Sequence, residues 1–213
     1  MGYLGKLSRS INGRVAVVTG AASGMGRATA HLFSDEGASV AVCDRNSEGL
    51  NEVVNEITDA GGVASGYVVD LDDAAVIGDF ISQVRDDLGP VDILVNNTGG
   101  PKAGFFDDLS DEDWLKTFES TFLSAIRVTR KTLPLMKKNK WGRIINISSV
   151  SAKQPIDNLM LSNGVRMSVH GWAKTLSNQI ASDNILINNV CPGFTKTERV
   201  EGLVSMQAKE LDV

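Results

Sequence analysis

The sequence predicts an α/β fold, a doubly wound parallel sheet with helices on both faces. Three observations carry this. Short apolar, β-branched runs alternate with longer stretches of helical period. No Pro/Ser-rich linker, internal repeat or low-complexity tract interrupts that alternation, so 1–213 reads as a single domain. The first apolar run, Val15-Ala16-Val17-Val18, passes directly into a glycine-rich turn, Thr19-Gly20-Ala21-Ala22-Ser23-Gly24-Met25-Gly26. Strands joined through helices are parallel, and their crossovers are right-handed. Strands are expected at 15–19, 39–43, 65–69, 92–96, 143–147 and 185–190. Helices are expected between them at 24–36, 47–60, 73–87, 111–138 with a break near Thr117, and 158–182.

The first strand is apolar at every position, as a strand buried on both faces must be. In the turn after it each glycine has a physical job. Gly20 lets the chain turn sharply out of the strand. Gly24 admits a pyrophosphate that a side chain would push away, and Gly26 lets the helix pack closely on the strand. The backbone around Ser23 and Met25, with the positive end of the helix dipole, then faces an anion. The helix itself puts Ala28, Leu32 and Phe33 on one face. Strand, turn and helix together make the phosphate-binding corner of a Rossmann-like dinucleotide fold.

The second strand ends in Cys43-Asp44-Arg45. An acidic residue about 20 positions past the glycine turn can accept hydrogen bonds from both ribose hydroxyls. Asp44 stands there and would repel a 2′-phosphate, which favours NAD. Arg45 could pair with that phosphate, which keeps NADP as the alternative.

Composition excludes several classes. The chain has 213 residues, 42% hydrophobic and 22% charged, with a formal net charge of -5. No basic surface for nucleic acid or for an acidic membrane is implied. No apolar run is long enough for a transmembrane helix, and residues 1–13 are polar with no secretory h-region. The expectation is a cytoplasmic protein. Cys43 and Cys191 each close a predicted strand and read as reduced core thiols. His31 and His170 are isolated, so no metal site is expected.

The turn resembles the TGxxxGxG fingerprint of the short-chain dehydrogenase/reductase family, and further stretches fall in that family's order. Val68-Val69-Asp70-Leu71 ends the third strand. The resemblance implies that Asp70 holds the adenine amino group and the Leu71 N–H a ring nitrogen. Read alone, Asp70 could equally cap the next helix. Asn96-Asn97-Thr98-Gly99 resembles the family's Asn-Asn-Ala-Gly. This implies that Asn96 braces neighbouring strands while Asn97, Thr98 and Gly99 bind the cofactor, the Thr98-Gly99 backbone lying under the ribose. Ile147-Ser148-Ser149-Val150 resembles the end of the fifth strand, with Ser149 as the catalytic serine that donates to the substrate carbonyl and Ser148 structural. Pro192-Gly193-Phe194-Thr195-Lys196-Thr197 resembles the Pro-Gly-x-x-x-Thr loop. There Pro192 and Gly193 would bind the cofactor, the Thr195 backbone would meet the nicotinamide carboxamide, and the Thr197 hydroxyl a phosphate.

Three places depart from the family. Thr121 follows Trp114 where an Asn commonly holds a proton-relay water. Ser162 and Arg166 stand where the family has its catalytic Tyr and Lys. His170-x-x-x-Lys174 copies the Tyr-x-x-x-Lys spacing but lies two helical turns too late. His170 reads as a helix-packing residue and Lys174 as solvated. The resemblance runs from about 12 to 197 and is greatest to a 3-oxoacyl-[acyl-carrier-protein] reductase-like branch with an imperfect tetrad. Residues 1–12 read as an N-terminal extension and 192–213 as the start of a substrate-loop region. The family's seventh, C-terminal strand has no counterpart, so the sheet is expected to have six strands with an exposed edge, or a last strand outside this chain.

The resemblance implies an NAD(P)-dependent oxidoreductase that moves a hydride between nicotinamide and a small-molecule carbonyl or secondary alcohol. Thr121, Ser149, Ser162 and Arg166 would form a modified catalytic site. Helices 111–138 and 158–182 would pair between subunits in a homodimer or homotetramer. The alternative is an NAD(P)-binding pseudoenzyme or sensor. A serine hydroxyl is far less acidic than a phenol, and a guanidinium does not give up its proton.

Overall fold

The structure, a computed structural model, describes residues 10–197, 200–202 and 204–205. Residues 1–9 of the expected N-terminal extension, with 198–199, 203 and 206–213 of the expected substrate-loop region, lie outside the described residues.

Strands β1 (Val15–Thr19), β2 (Ser39–Asp44), β3 (Val63–Val68), β4 (Ile93–Asn96), β5 (Gly142–Ile147) and β6 (Ile185–Val190) form one sheet. Every pairing is parallel, in the order β3-β2-β1-β4-β5-β6. The order reverses between β1 and β4, and a parallel sheet opens a crevice outside the carboxyl ends of its strands at such a point.

The helices are α1 (Gly24–Asp35), α2 (Ser47–Asp59), α3 (Val76–Asp87), α4 (Asp111–Thr117), α5 (Ser124–Asn139) and α6 (Met160–Ile180). Alternation along the strands divides the core in two. Val18, Val40, Val42 and Val95 face α1 and α2, where Ala30, Leu50, Val53 and Ile57 cover them. Val17, Ala41, Leu94 and Ile144 face the other way, against Phe80 and Val84 of α3, Val128 and Met136 of α5, and Ala173 and Ile180 of α6. Each large side chain buried this fully is worth about 1.5–3 kcal/mol. This is the Rossmann-like, doubly wound sheet with helices on both faces that the alternation predicts.

The differences from expectation have local causes. On α1 the buried face is Gly26 and Ala30, with Phe33 packed beside them. Ala28 points outward and Leu32 is 59% exposed, so the expected Ala28–Leu32–Phe33 face is wrong. Close approach to the sheet selects the small residues over the large ones. Helix α3 starts at Val76, not at 73, because Asp70 and Asp73 spend their carboxylates on turns, accepting from Asp72 N (3.0 Å) and Ala75 N (2.8 Å). Strand β3 begins two residues early, and β2, β4 and β5 each shift by one at an end. The 111–138 stretch is interrupted by a π-helical segment, Phe118–Leu123, next to the break expected near Thr117. Cys43 is buried, but Cys191 lies just past β6 and is only half-buried, so it is not a core thiol. Among the described residues β6 is an edge strand, with Leu186 and Val190 exposed. No helix among the described residues is long and apolar enough to cross a membrane.

Candidate active site

A cleft of about 420 Å³ opens at the carboxyl ends of the strands around the switch point. It gathers residues that the sequence holds far apart. Gly20, Ser23, Gly24 and Met25 line it from the turn after β1, and Asp44 and Arg45 from the end of β2. Asn97, Thr98 and Gly99 follow β4, Ser149 follows β5, Ser162 and Arg166 come from α6, and Pro192, Gly193, Thr195 and Thr197 follow β6. A smaller recess of about 120 Å³ adjoins it, bounded by Asp44, Arg45, Asp70 and Leu71. Gly26 and Thr121 line neither hollow.

The glycine turn is built as its spacing requires. Gly20 and Gly24 have φ of +58° and +54°. A Cβ on Gly26 would sit 2.1 Å from the Gly20 carbonyl oxygen, so only glycine allows α1 to meet the turn. Ser23 precedes α1 without a side-chain cap and the first turn holds no acidic residue, so the helix supplies no anion of its own at its positive end. A Cβ on Gly24 would stand 3.5 Å from the Thr197 methyl, which brings the last loop over the turn. This cradle fits a dinucleotide pyrophosphate.

Asn97 locks the turn to β4. Its side-chain amide donates to the carbonyls of Thr19 (3.1 Å) and Gly20 (3.0 Å). The Thr19 hydroxyl in turn donates to Asn97 O at 2.7 Å, a clamp with no signal in the sequence beyond a hydroxyl at a strand end. Asp44 Oδ2 accepts from Ala22 N at 3.2 Å and Oδ1 from Asn46 N at 3.0 Å, tying the end of β2 to the same turn. Asp70 caps a turn rather than a helix. Burial, and then Asp70's negative charge, push the Asp72 carboxyl above its usual range.

Asn96 does brace its neighbours. Its Nδ2 donates to Asn146 Oδ1 (2.9 Å) and to Thr129 Oγ1 (3.2 Å). Asn146 Nδ2 continues to Asn189 Oδ1 (2.9 Å), so an amide ladder runs across β4, β5 and β6 at matched register positions. Sequence reasoning missed the second and third rungs, whose signal was an asparagine near the end of each strand. Thr121 lies in the π-helical segment, buried, and its hydroxyl has no partner among the described residues. A buried orphan hydroxyl is a place for an ordered water.

Ser149, Ser162 and Arg166 meet around the end of β5. Ser149 Oγ accepts from Ser151 N (3.1 Å), and Ser162 Oγ lies 3.0 Å from Ser151 Oγ. No motif in the sequence points to Ser151, and only the fold links it to Ser162. Arg166 Nη1 donates to the carbonyls of Ile147 (2.8 Å) and Ser148 (3.1 Å). Ser162 and Arg166 are 5% and 7% exposed, so both are nearly buried where they line the cleft. His170, one turn beyond Arg166, packs as expected. Its Nε2 is 2.8 Å from Ser148 Oγ and 3.7 Å from Cys191 Sγ. Lys174 is exposed.

The family model for short chain dehydrogenase matches residues 14–208. The chain is 38% identical over 185 residues to a Streptomyces coelicolor protein provisionally named a ketoacyl reductase, covering 86% of this chain and 71% of that one. It is 33% identical over 193 residues to a 3-oxoacyl-[acyl-carrier-protein] reductase of Thermotoga maritima, covering 91% and 78%. Among solved structures it superposes on a single-residue variant of actinorhodin polyketide ketoreductase with NADPH, at a TM-score of 0.90 and 35% identity over 94% of this chain and 77% of that one. Matched along most of its length by the family model and by relatives of this identity, the chain belongs to the short chain dehydrogenase family.

Proposed function

We propose that this NAD(P)-dependent oxidoreductase reduces small-molecule carbonyls, or oxidises the matching secondary alcohols, through a site in which Ser162 and Arg166 stand in for a phenol and an ammonium. One observation supports the reading above others: the glycine cradle and the Ser149, Ser162 and Arg166 side chains share a single cleft. When bound, the nicotinamide supplies or takes the hydride. Ser149 donates a hydrogen bond to the substrate oxygen. Arg166 stabilises the negative charge that develops there, and its bonds to two backbone carbonyls hold it in place beforehand. Ser162 adds a second donor, and water in the cleft supplies the proton, since Arg166 cannot relay one from a water at Thr121. Neither serine is acidic enough to replace a phenol, so turnover is expected to be slower by about 10²–10⁴ than with a positioned general acid. The test is NADH oxidation with a panel of ketones and 3-oxoacyl thioesters. Tight NADH binding without turnover on any of them would favour the sensor reading. That second reading has its own support in Ser162, whose hydroxyl is already engaged by Ser151.

The preferred cofactor is NAD. Asp44 lines the cleft at the end of β2, so a 2′-phosphate bound beside it would meet a carboxylate. Calorimetry is expected to give tighter binding of NADH than of NADPH, with the gap narrowed in Asp44→Ala. A preference for NADPH in the unaltered protein would transfer the deciding role to Arg45.

The protein works in the cytoplasm as a homodimer or homotetramer. Helix α4, the π-helical segment and α6 expose Leu115 (71%), Phe118 (38%) and Met167 (56%), apolar area that a second subunit would cover. Light scattering at micromolar concentration should give a multiple of 22.7 kDa, and that mass alone would refute the assembly.

A further inference from the structure

One side-chain cluster stands apart from the chemistry proposed above. His170 and Cys191 do not line the cleft. They meet Ser148 where the end of β5, the middle of α6 and the chain just past β6 converge. The His170 Nε2 lies 2.8 Å from Ser148 Oγ and 3.7 Å from Cys191 Sγ. Burial, and then the positive charge of Lys153, hold the imidazole below its usual pKa, so the ring is neutral at neutral pH and can accept a proton.

The two cysteines differ in what surrounds them. Cys43 is enclosed in β2, and burial, with the Asp44 charge added, pushes its thiol up to about 12. Cys191 is half-buried and touches a neutral imidazole. Reactive cysteines combine partial exposure with a neighbouring base or positive charge. Cys191 has that setting and Cys43 does not.

We propose that Cys191 is a thiol-modification site for low-molecular-weight disulfides, with His170 as the base that takes its proton. The thiol proton passes to His170 Nε2 as the sulfur attacks one sulfur of the disulfide. A mixed disulfide forms on Cys191, the other sulfur leaves as a thiolate, and the proton returns to it from His170. Ser148 competes for the same ring nitrogen. The adduct would also reach the cleft, because Cys191 precedes Pro192 and Gly193, which line it, and Pro192 O accepts from Val150 N at 2.9 Å. Nucleotide affinity is therefore expected to fall on modification. That consequence rests on the proposed nucleotide binding, whereas the thiol reaction does not.

The test uses the intact chain under native conditions with dithionitrobenzoate, following thiolate release. One thiol per chain should react quickly. Cys191→Ser should remove that phase and Cys43→Ser should leave it. His170→Gln should slow it by about tenfold, and Ser148→Ala should not slow it. Equal rates at the two cysteines, or a folded His170→Gln variant that reacts as fast as the parent, would overturn the proposal. Peptide mapping of the parent after brief exposure to oxidised glutathione needs no variant. An adduct on Cys191 and not on Cys43 supports the assignment, and an adduct on neither defeats it. A fluorescence titration with NADH, before and after modification, reads the second consequence. If the unmodified chain binds no NADH while Cys191 reacts as stated, the nucleotide reading fails and the thiol assignment stands.

Discussion

Changing Ser162 to Tyr and Arg166 to Lys together should raise carbonyl reduction by about 10²–10⁴. Both side chains come from α6, one turn apart and on one face, and both line the cleft that also holds Ser149. A tyrosine at 162 gives up the contact between Ser162 and Ser151 and sends a phenol into the cleft. A phenol titrates near pH 10, within reach of tuning by a neighbouring ammonium, whereas a serine hydroxyl is not. Lysine at 166 keeps a positive donor near the carbonyls of Ile147 and Ser148 but loses the planar fork of the guanidinium. Thr121→Asn on this background should add less, because it only offers a water bound at that buried position a second kind of partner. The measurement is the initial rate of NADH oxidation on the ketone and thioester panel, with NADH affinity measured alongside. Normal NADH binding and no gain on any substrate would mean that the site has diverged beyond these two positions. A fast parent that Ser162→Ala slows sharply would make Ser162 itself the working donor, despite the weak acidity of its hydroxyl.

Legibility in the sequence followed the range of the interactions involved. Strands β1 and β6 are readable to the residue, because their apolar runs are bounded by a glycine turn or a Pro-Gly. The glycine turn is readable because each glycine answers a backbone demand that no other residue meets. The face of α1 was not. Leu32 has the hydrophobicity of a core residue, yet the space between α1 and β1 takes only Gly26 and Ala30. That space is set by the sheet and cannot be counted along one helix. The start of α3 was missed for a local reason, since Asp70 and Asp73 satisfy turn N–H groups that a helix would have used. In the site, motif spacing pointed to Ser149, Ser162 and Arg166. It was silent on Ser151, on the Thr19–Asn97 clamp and on the meeting of Ser148, His170 and Cys191, which join elements at least 11 residues apart. Such pairs exist only once the sheet order is known.

Gly26→Ala should cost the protein both stability and nucleotide binding, and Gly24→Ala should separate the two effects. At 26 the new methyl would lie 2.1 Å from Gly20 O and 2.9 Å from Asn97 Nδ2. Alanine in a helix is worth about 1 kcal/mol over glycine. Overpacking against backbone costs about 1–3 kcal/mol and sometimes more, and here the neighbour is a carbonyl that cannot swing aside. The clash therefore wins, by roughly 2 kcal/mol or more, and relief has to come from moving α1 off the turn. For a chain of this size, about 2 kcal/mol is a fall in Tm of about 4–8 °C. NADH binding should go with it, because the displaced helix carries the first-turn N–H groups proposed to hold the phosphate. At 24 the methyl has room, 3.5 Å from the Thr197 side chain, and the cost is the positive φ of +54° alone. That is about 1–2 kcal/mol of backbone strain. Gly24→Ala should therefore lose less stability than Gly26→Ala yet bind NADH more weakly, since its methyl would stand in the proposed pyrophosphate cradle. Thermal melts and NADH titrations on the two variants decide the matter. Gly26→Ala melting at or above the parent would mean that the turn is more yielding than its contacts imply, and undiminished binding in Gly24→Ala would move the phosphate away from this turn.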